Sequence, residues 1–412
     1  MAITLYQEPD LISPAFQPEF YLCYISYSIE QDFKYMFVVE DKDGDILNKK
    51  ILPFPDYNGR MDISPILQNY VDSTFLYDTT GNTHTDSTLI QYEISIGYTG
   101  STHTSTPVSQ GVLYLLNGAD LDFDYENYLF NSGGVETNYF LTHQPLEMEI
   151  NLTDYYTLTG LAGNFLGGVS SFWHDTFIDV YYSDGTDKQY MMVCDGYAYA
   201  PGFTSPSAVG SMCQTAGVGP INLNDSILYD ADLAVYTTGA TIIHSGTTSY
   251  DIWIGGISRN RYSPKYTFNV NNNDNRYPLE QVAFLNRLGN FSYFTFRGKT
   301  RVTTSNEKDT FIKNRYYLNG NSWETNSARR GRTTYNSNVR QEVTFQSDYI
   351  NQDTYDFMED LFTSPEVYWI KDGEAISMNV VDTTWSNKRK VNDKVIEFNI
   401  KCEFANKKLI NI

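Results

Sequence analysis

Cysteine is scarce in this 412-residue chain, with Cys23, Cys194, Cys213 and Cys402 the only four. None forms a CxxC pair or clusters with histidine, which argues against a zinc site. The pattern is that of free, buried thiols in a protein made in a reducing cytoplasm. Long apolar runs are also missing. Nothing approaches the roughly 20 residues that span a bilayer, so no membrane insertion is expected. The opening MAITLYQEPDLISPAF has neither the basic start nor the apolar stretch of a signal peptide. Histidine is confined to His84, His103, His143, His174 and His244. No two lie within one helical turn, so an HExxH-type site is excluded. No GxSxG elbow, P-loop or GxGxxG pattern is present either. The expectation is a non-enzymatic protein with no cofactor and no metal.

Positive charge is nearly missing from the first part of the chain. Residues 1–250 hold 31 acidic and 6 basic side chains, and between Met61 and Tyr250 the single basic residue is Lys188. Residues 251–412 hold 19 acidic and 23 basic, giving a total of −21. An acidic surface repels phosphate backbones, so sequence-specific nucleic-acid binding is not expected. The same acidity also serves solubility.

What is abundant is aromatic. Tyrosine contributes 34 residues and phenylalanine 24. Such residues suit a pleated, half-buried surface, and tyrosine suits interfaces equally well. The fold class is read as mainly β. Two N-terminal β-sandwich-like domains, 1–116 and 117–257, precede a β-rich C-terminal domain, 258–412, with one or two short helices.

Local signals fill in this plan. Asp43-Gly44, Asp184-Gly185 and Asp372-Gly373 mark hairpin turns. Strands are expected at 89–99, 111–116, 148–159, 177–183, 188–194, 233–237 and 250–257, and in RNRYSPKYTFNV and FSYFTFRGKTRVTTS. Ser64-Pro65 predicts one short helix with Ser64 as its cap. DTYDFMEDLFT, 353–363, predicts another, capped by Asp353 and stopped at Pro365. The stretch 198–220 reads as one long loop. Residues 319–340, polar and basic, read as a long arm or protruding hairpin.

Candidate chemistry is thin. The DKDGD cluster (Asp41, Asp43, Asp45) places its glycine too early for a calcium loop and reads as a charged hairpin tip. Asp120, Asp122 and Asp124 alternate, as they would on one strand face. A glycosidase needs two carboxylates flanking a sugar, and nothing marks such a pair. The remaining candidate is the basic arm, with Arg329, Arg330, Arg332, Arg340 and Tyr335. It is read as an assembly contact for an acidic neighbour, which another copy of the chain supplies.

Some segments resemble a known group. ISPAFQPEF before a β-sandwich is similar to the N-termini of virion structural proteins in tailed phages of gut Bacteroidetes. LEQVAFLNRLGNFSYFTFRGK, LFTSPEVYWI and VIEFNIKCEFANKKLIN are similar to segments of tail-associated proteins of the crAss-like phages. The resemblance covers about a third of the chain, at both ends, and carries over no functional residue. It implies a tail or tail-hub ring protein in the virion, made in the host cytoplasm. Its partners would be copies of itself and other tail proteins (ring, fibre or tail-tip components). The alternative is a fibre, appendage or receptor-binding protein that touches host surface glycan through loops 79–110 and 198–220.

Overall fold

The run LIQYEISIGYT alternates apolar and polar residues, the pattern of a strand with one buried face. In the computed structural model it forms the strand Leu89–Thr99, with Tyr92, Ile94 and Ile96 buried. The structure describes residues 3–25, 32–41, 44–84, 88–130, 137–162, 175–192, 213–233, 235–255, 260–271, 275–325, 331–385 and 396–406. The protein is mainly β, with 54% of the described residues in strands and three helices among them.

The chain divides into two units, Met1–Asn273 with Leu285–Tyr293, and Asp274–Phe284 with Phe294–Ile412. The first unit opens with a sandwich. Its larger sheet orders Ile12–Pro14, Val108–Leu116, Leu89–Thr99, Lys34–Asp41 and Gly44–Ile51. Its smaller sheet orders Ile3–Gln7, Phe20–Ile25 and Gly59–Asp62. The core between them holds Tyr21, Tyr35, Phe37, Tyr92, Ile94 and Leu115. Buried tyrosine hydroxyls need partners, and Tyr35 Oη finds one by donating to the Tyr57 carbonyl at 2.9 Å.

Two further sheets complete this unit. One orders Leu129–Phe130, Thr157–Ala162, Cys213–Gly217 and Asn82–His84. The other has seven strands, Glu147–Ile150, Tyr266–Val270, Thr247–Gly255, Asp175–Tyr182, Asp187–Met192, Ile227–Asp230 and Val235–Thr238. Tyr250, Tyr266 and Phe268 are fully buried on the seven-stranded sheet, and Tyr250 Oη donates to the Val218 carbonyl at 3.0 Å. The strand Tyr266–Val270 pairs parallel with Glu147–Ile150 and antiparallel with Thr247–Gly255. It therefore belongs to the first unit, and the structural division falls after Asn273 instead of at the change of charge near Ile257.

The second unit is built on the sheet Glu280–Leu285, Val367–Lys371, Glu374–Val380, Ile396–Phe404, Arg332–Ile350 and Arg301–Ile312, with Phe291–Phe296 at its other end. The helix Gln352–Thr363 buries Tyr355, Phe357, Met358 and Leu361. Phe357 meets Phe284 at 5.4 Å between ring centroids.

Several local expectations need correction. The second helix is capped by Asn351, whose side chain accepts from Thr354 N at 2.8 Å, and Asp353 lies inside the first turn. The short helix is Ser64–Leu67, and Ser64 is its first residue instead of its cap. The Asp62 carboxylate reaches forward to accept from Ser64 N and Oγ, at 3.0 and 2.8 Å. A third helix, Pro220–Asp225, was not anticipated. Its Gly219-Pro220 start is a recognised entry signal, with proline pre-set for the first turn. Segment 148–159 is two elements, Glu147–Ile150 and Thr157–Ala162. Between them Asp154 accepts from Asn151 N at 2.9 Å and closes a turn. The long loop expected at 198–220 lies outside the described residues up to 212 and is strand from Cys213.

Candidate functional site

RVTTSNEKDTFI has no period-2 apolar pattern, so neither face of a strand made from it can join a core. All twelve residues of Arg301–Ile312 are exposed. This strand pairs antiparallel with Arg332–Ile350 from Arg301 opposite Thr344 out to Ile312 opposite Arg332. The next strand of the sheet, Ile396–Phe404, pairs only with Glu342–Ile350. Beyond Glu342 no third strand among the described residues pairs with these two, which run on as a ribbon about 30 Å long at roughly 3.3 Å per residue, with Ser337 and Val339 buried on it. A small hairpin, Tyr316–Asn319 with Ser322–Thr325, follows at its far end. The expected basic arm is thus a β-ribbon that begins near residue 301, well before 319.

Its chemistry is mixed. Residues 301–340 carry eight basic and three acidic side chains. Large apolar groups stand in solvent among them, with Ile312 88% and Trp323 68% exposed, and Phe311, Tyr316, Leu318 and Tyr335 also exposed. Arg332 Nε donates to Thr310 Oγ1 at 3.1 Å, and the Tyr335 ring sits 6.1 Å from Phe311. A register shift between Asp309 and Thr310 leaves Tyr335 as the extra residue of a bulge. Arg340 is exposed opposite Ser305. Arg332 and Arg340 are eight residues apart on one strand, about 26 Å, so they cannot close on one small anion. Arg329 and Arg330 lie outside the described residues. The basic residues were legible in the sequence, and the apolar ones beside them were missed. Their signal was large apolar side chains, Phe311, Ile312 and Trp323, set among polar residues with no alternation.

A second polar cluster sits on the seven-stranded sheet of the first unit. Asp179 and Asp251 face each other across adjacent strands, an unfavourable pairing of like charges. Lys265 resolves it, with Nζ 2.8 Å from Asp179 Oδ2 and 2.9 Å from Asp251 Oδ2. Burial works against the lysine charge, but hydrogen bonds to both carboxylates outweigh it and hold its pKa above the ordinary lysine value. Two further donors reach each carboxylate. Gln189 and Trp253 donate to Asp179 at 2.8 and 2.9 Å. Thr267 and Tyr181 donate to Asp251 at 2.7 and 3.0 Å. Each carboxylate thus accepts three hydrogen bonds on about four lone-pair sites, and the cluster braces the sheet.

The other sequence candidates are engaged in local structure. Asp41 accepts from Gly44 N at 2.9 Å in a hairpin turn, and Lys42 and Asp43 lie outside the described residues. Asp120, Asp122 and Asp124 do not share a strand face, because the chain turns there. Asp124 instead caps a 3₁₀ turn, Tyr125–Asn127, accepting from Glu126 N at 3.1 Å. Asp120 meets His143 Nε2 at 3.2 Å. His244 stacks on Tyr182, and His103 bonds Thr102 Oγ1 at 2.9 Å. Among the described residues no group of three or more His, Cys, Asp or Glu is placed to hold a metal ion. Cys23, Cys213 and Cys402 are buried thiols in no disulfide, and burial pushes the pKa of Cys23 and Cys402 up to about 12.

One buried carboxyl stands apart. Glu19 is 5% exposed, and burial, with Asp10 and Asp62 nearby, pushes its pKa up to about 8 against a lowering hydrogen bond from Ser13.

Compared with known protein families, the sequence matches no family model. A search of curated proteins finds no match to it. No helix among the described residues is long and apolar enough to cross a membrane.

Proposed function

We propose that this chain is a non-enzymatic structural component of a phage virion, a tail or tail-hub ring protein that assembles with copies of itself. The observation that carries the reading is the arm. A two-stranded ribbon is marginal in water without a third strand or a packed face, and six large apolar residues on it and on the hairpin at its far end stand in solvent. A neighbouring molecule would cover both. Opposite charge favours another copy as that neighbour, because the arm is basic and residues 1–250 are strongly acidic. The virion setting rests on the sequence resemblance at the two ends of the chain.

Exposed ion pairs contribute only about 0.2–1 kcal/mol each, so the charge effect is collective and steers register more than it adds affinity. Sedimentation velocity on the wild type and on the Arg329→Ala, Arg330→Ala, Arg332→Ala triple variant tests the proposal. The expected result is an oligomer for the wild type and slowed or blocked assembly for the variant, with unchanged monomer folding. Salt near 1 M, where the screening length is roughly 3 Å, should act in the same direction. A wild type that stays monomeric at every concentration would overturn the reading.

A further inference from the structure

Natural β proteins protect unpaired sheet edges with charge, proline, bulges or short length, because an open edge recruits another strand. Among the described residues the outer edge of Arg301–Ile312 is open, since that strand ends the order of its sheet. Glu307, Lys308 and Asp309 guard its middle, but its far end, Thr310-Phe311-Ile312, has no charge and no proline. A second edge, open among the described residues, ends the seven-stranded sheet of the first unit. It is Val235–Thr238, also without charge or proline. Around it Ile227, Leu233, Val235 and Tyr236 are exposed, Leu233 by 65%. Asp225 and Asp232 flank this patch and are exposed too.

The two edges are complementary in three respects. Each edge has no strand paired to its outer side among the described residues, each carries exposed β-branched and aromatic side chains, and their flanking charges are opposite. Lys313, Arg315 and Arg332 border the arm's far end, and Asp225 and Asp232 border the other edge. We infer that the far end of the arm adds as an edge strand to Val235–Thr238 of a second copy of this chain. Backbone hydrogen bonds would supply the pairing, and Phe311 and Ile312 would cover the Leu233–Tyr236 patch. The surface is heterologous, so each copy both offers an arm and receives one. Repetition of the contact then closes a ring or extends a filament, according to the rotation between copies. The inference rests on the proposed self-assembly and adds the receiving surface.

Mixed single-cysteine variants test it in a Cys194→Ser background. Chains carrying Ile312→Cys are mixed with chains carrying Tyr236→Cys and oxidised, with Ile312→Cys against Tyr70→Cys as the control pair. The expected result is a disulfide-linked heterodimer for 312 with 236 and none for the control pair. A charge exchange gives the second readout. Asp225→Lys with Asp232→Lys should block assembly, and Arg315→Glu with Arg332→Glu in the same chain should restore it. Oligomers that form without the 312–236 link and without rescue would overturn this docking and leave self-assembly standing. A failure to form any oligomer would overturn both.

Discussion

Glu19 is the residue whose protonation is tied most directly to folding. Its folded pKa is raised to about 8 from an ordinary 4.5, so the folded state holds a proton that the unfolded chain releases. The stability that this carboxyl contributes therefore falls as pH rises from about 4.5 to about 8, and levels off above that. At about 1.4 kcal/mol per unit the loss is of the order of a few kcal/mol. Glu19→Gln, which keeps the shape and removes the charge, should raise the urea midpoint at pH 9 and leave it nearly unchanged at pH 4. A variant whose midpoint tracks the wild type at both pH values would show that this carboxyl is not protonated in the fold. Gly289 is the second such residue. Its φ is +79°, and a Cβ there would fall 1.9 Å from the Asn117 carbonyl oxygen. Gly289→Ala should cost at least about 1–3 kcal/mol in thermal or chemical unfolding, and a neutral effect would contradict the tight turn at Asn286–Asn290. Glycine is the residue type that takes such a φ at no steric cost. The backbone it has to avoid comes from 172 positions earlier and was not visible in the sequence.

At the scale of elements, what was legible was what is local. Asp372-Gly373 joins Lys371 and Glu374 as a paired two-residue turn, with φ of 55° and 78° at its two positions. Both angles are positive, which Asp-Gly tolerates, so the dipeptide alone specified the hairpin. Asp184-Gly185 also marks a hairpin but turns differently: of the two only Gly185 has a positive φ, 84°, and Asp184 accepts from Thr186 N at 2.9 Å. Alternation failed at Asp120–Asp124, because the short polar side chains there bond nearby backbone in place of a ladder. The Asp179–Lys265–Asp251 brace was illegible for another reason. Its members come together only through strand register, and a one-residue slip would send each to the opposite face. Lys265→Met should destabilise the protein by about 1–2 kcal/mol, allowing for partial exposure. Adding Asp251→Asn should recover part of that loss, and strictly additive losses would deny the coupling. Asn351→Ala should cost about 1 kcal/mol if its side chain caps the helix Gln352–Thr363, and Asp353→Ala should cost less.

At the scale of the whole molecule, the sequence showed a mainly β chain, an acidic first part and a basic arm. It also placed Arg332, Tyr335 and Arg340 together as one contact. The ribbon instead spreads Arg332 and Arg340 along a strand and sets apolar residues beside them, and that mixture is the chemistry of a protein interface more than of a phosphate site. The self-assembly account makes a direct claim about particles. Averaged electron micrographs of the 412-residue chain at about 0.1 M salt should show closed rings of repeated copies. Deleting residues 304–340 and bridging the gap with a short turn should leave folded single molecules in the same buffer. A field of single molecules from the intact chain, or rings that persist without the arm, would contradict the account.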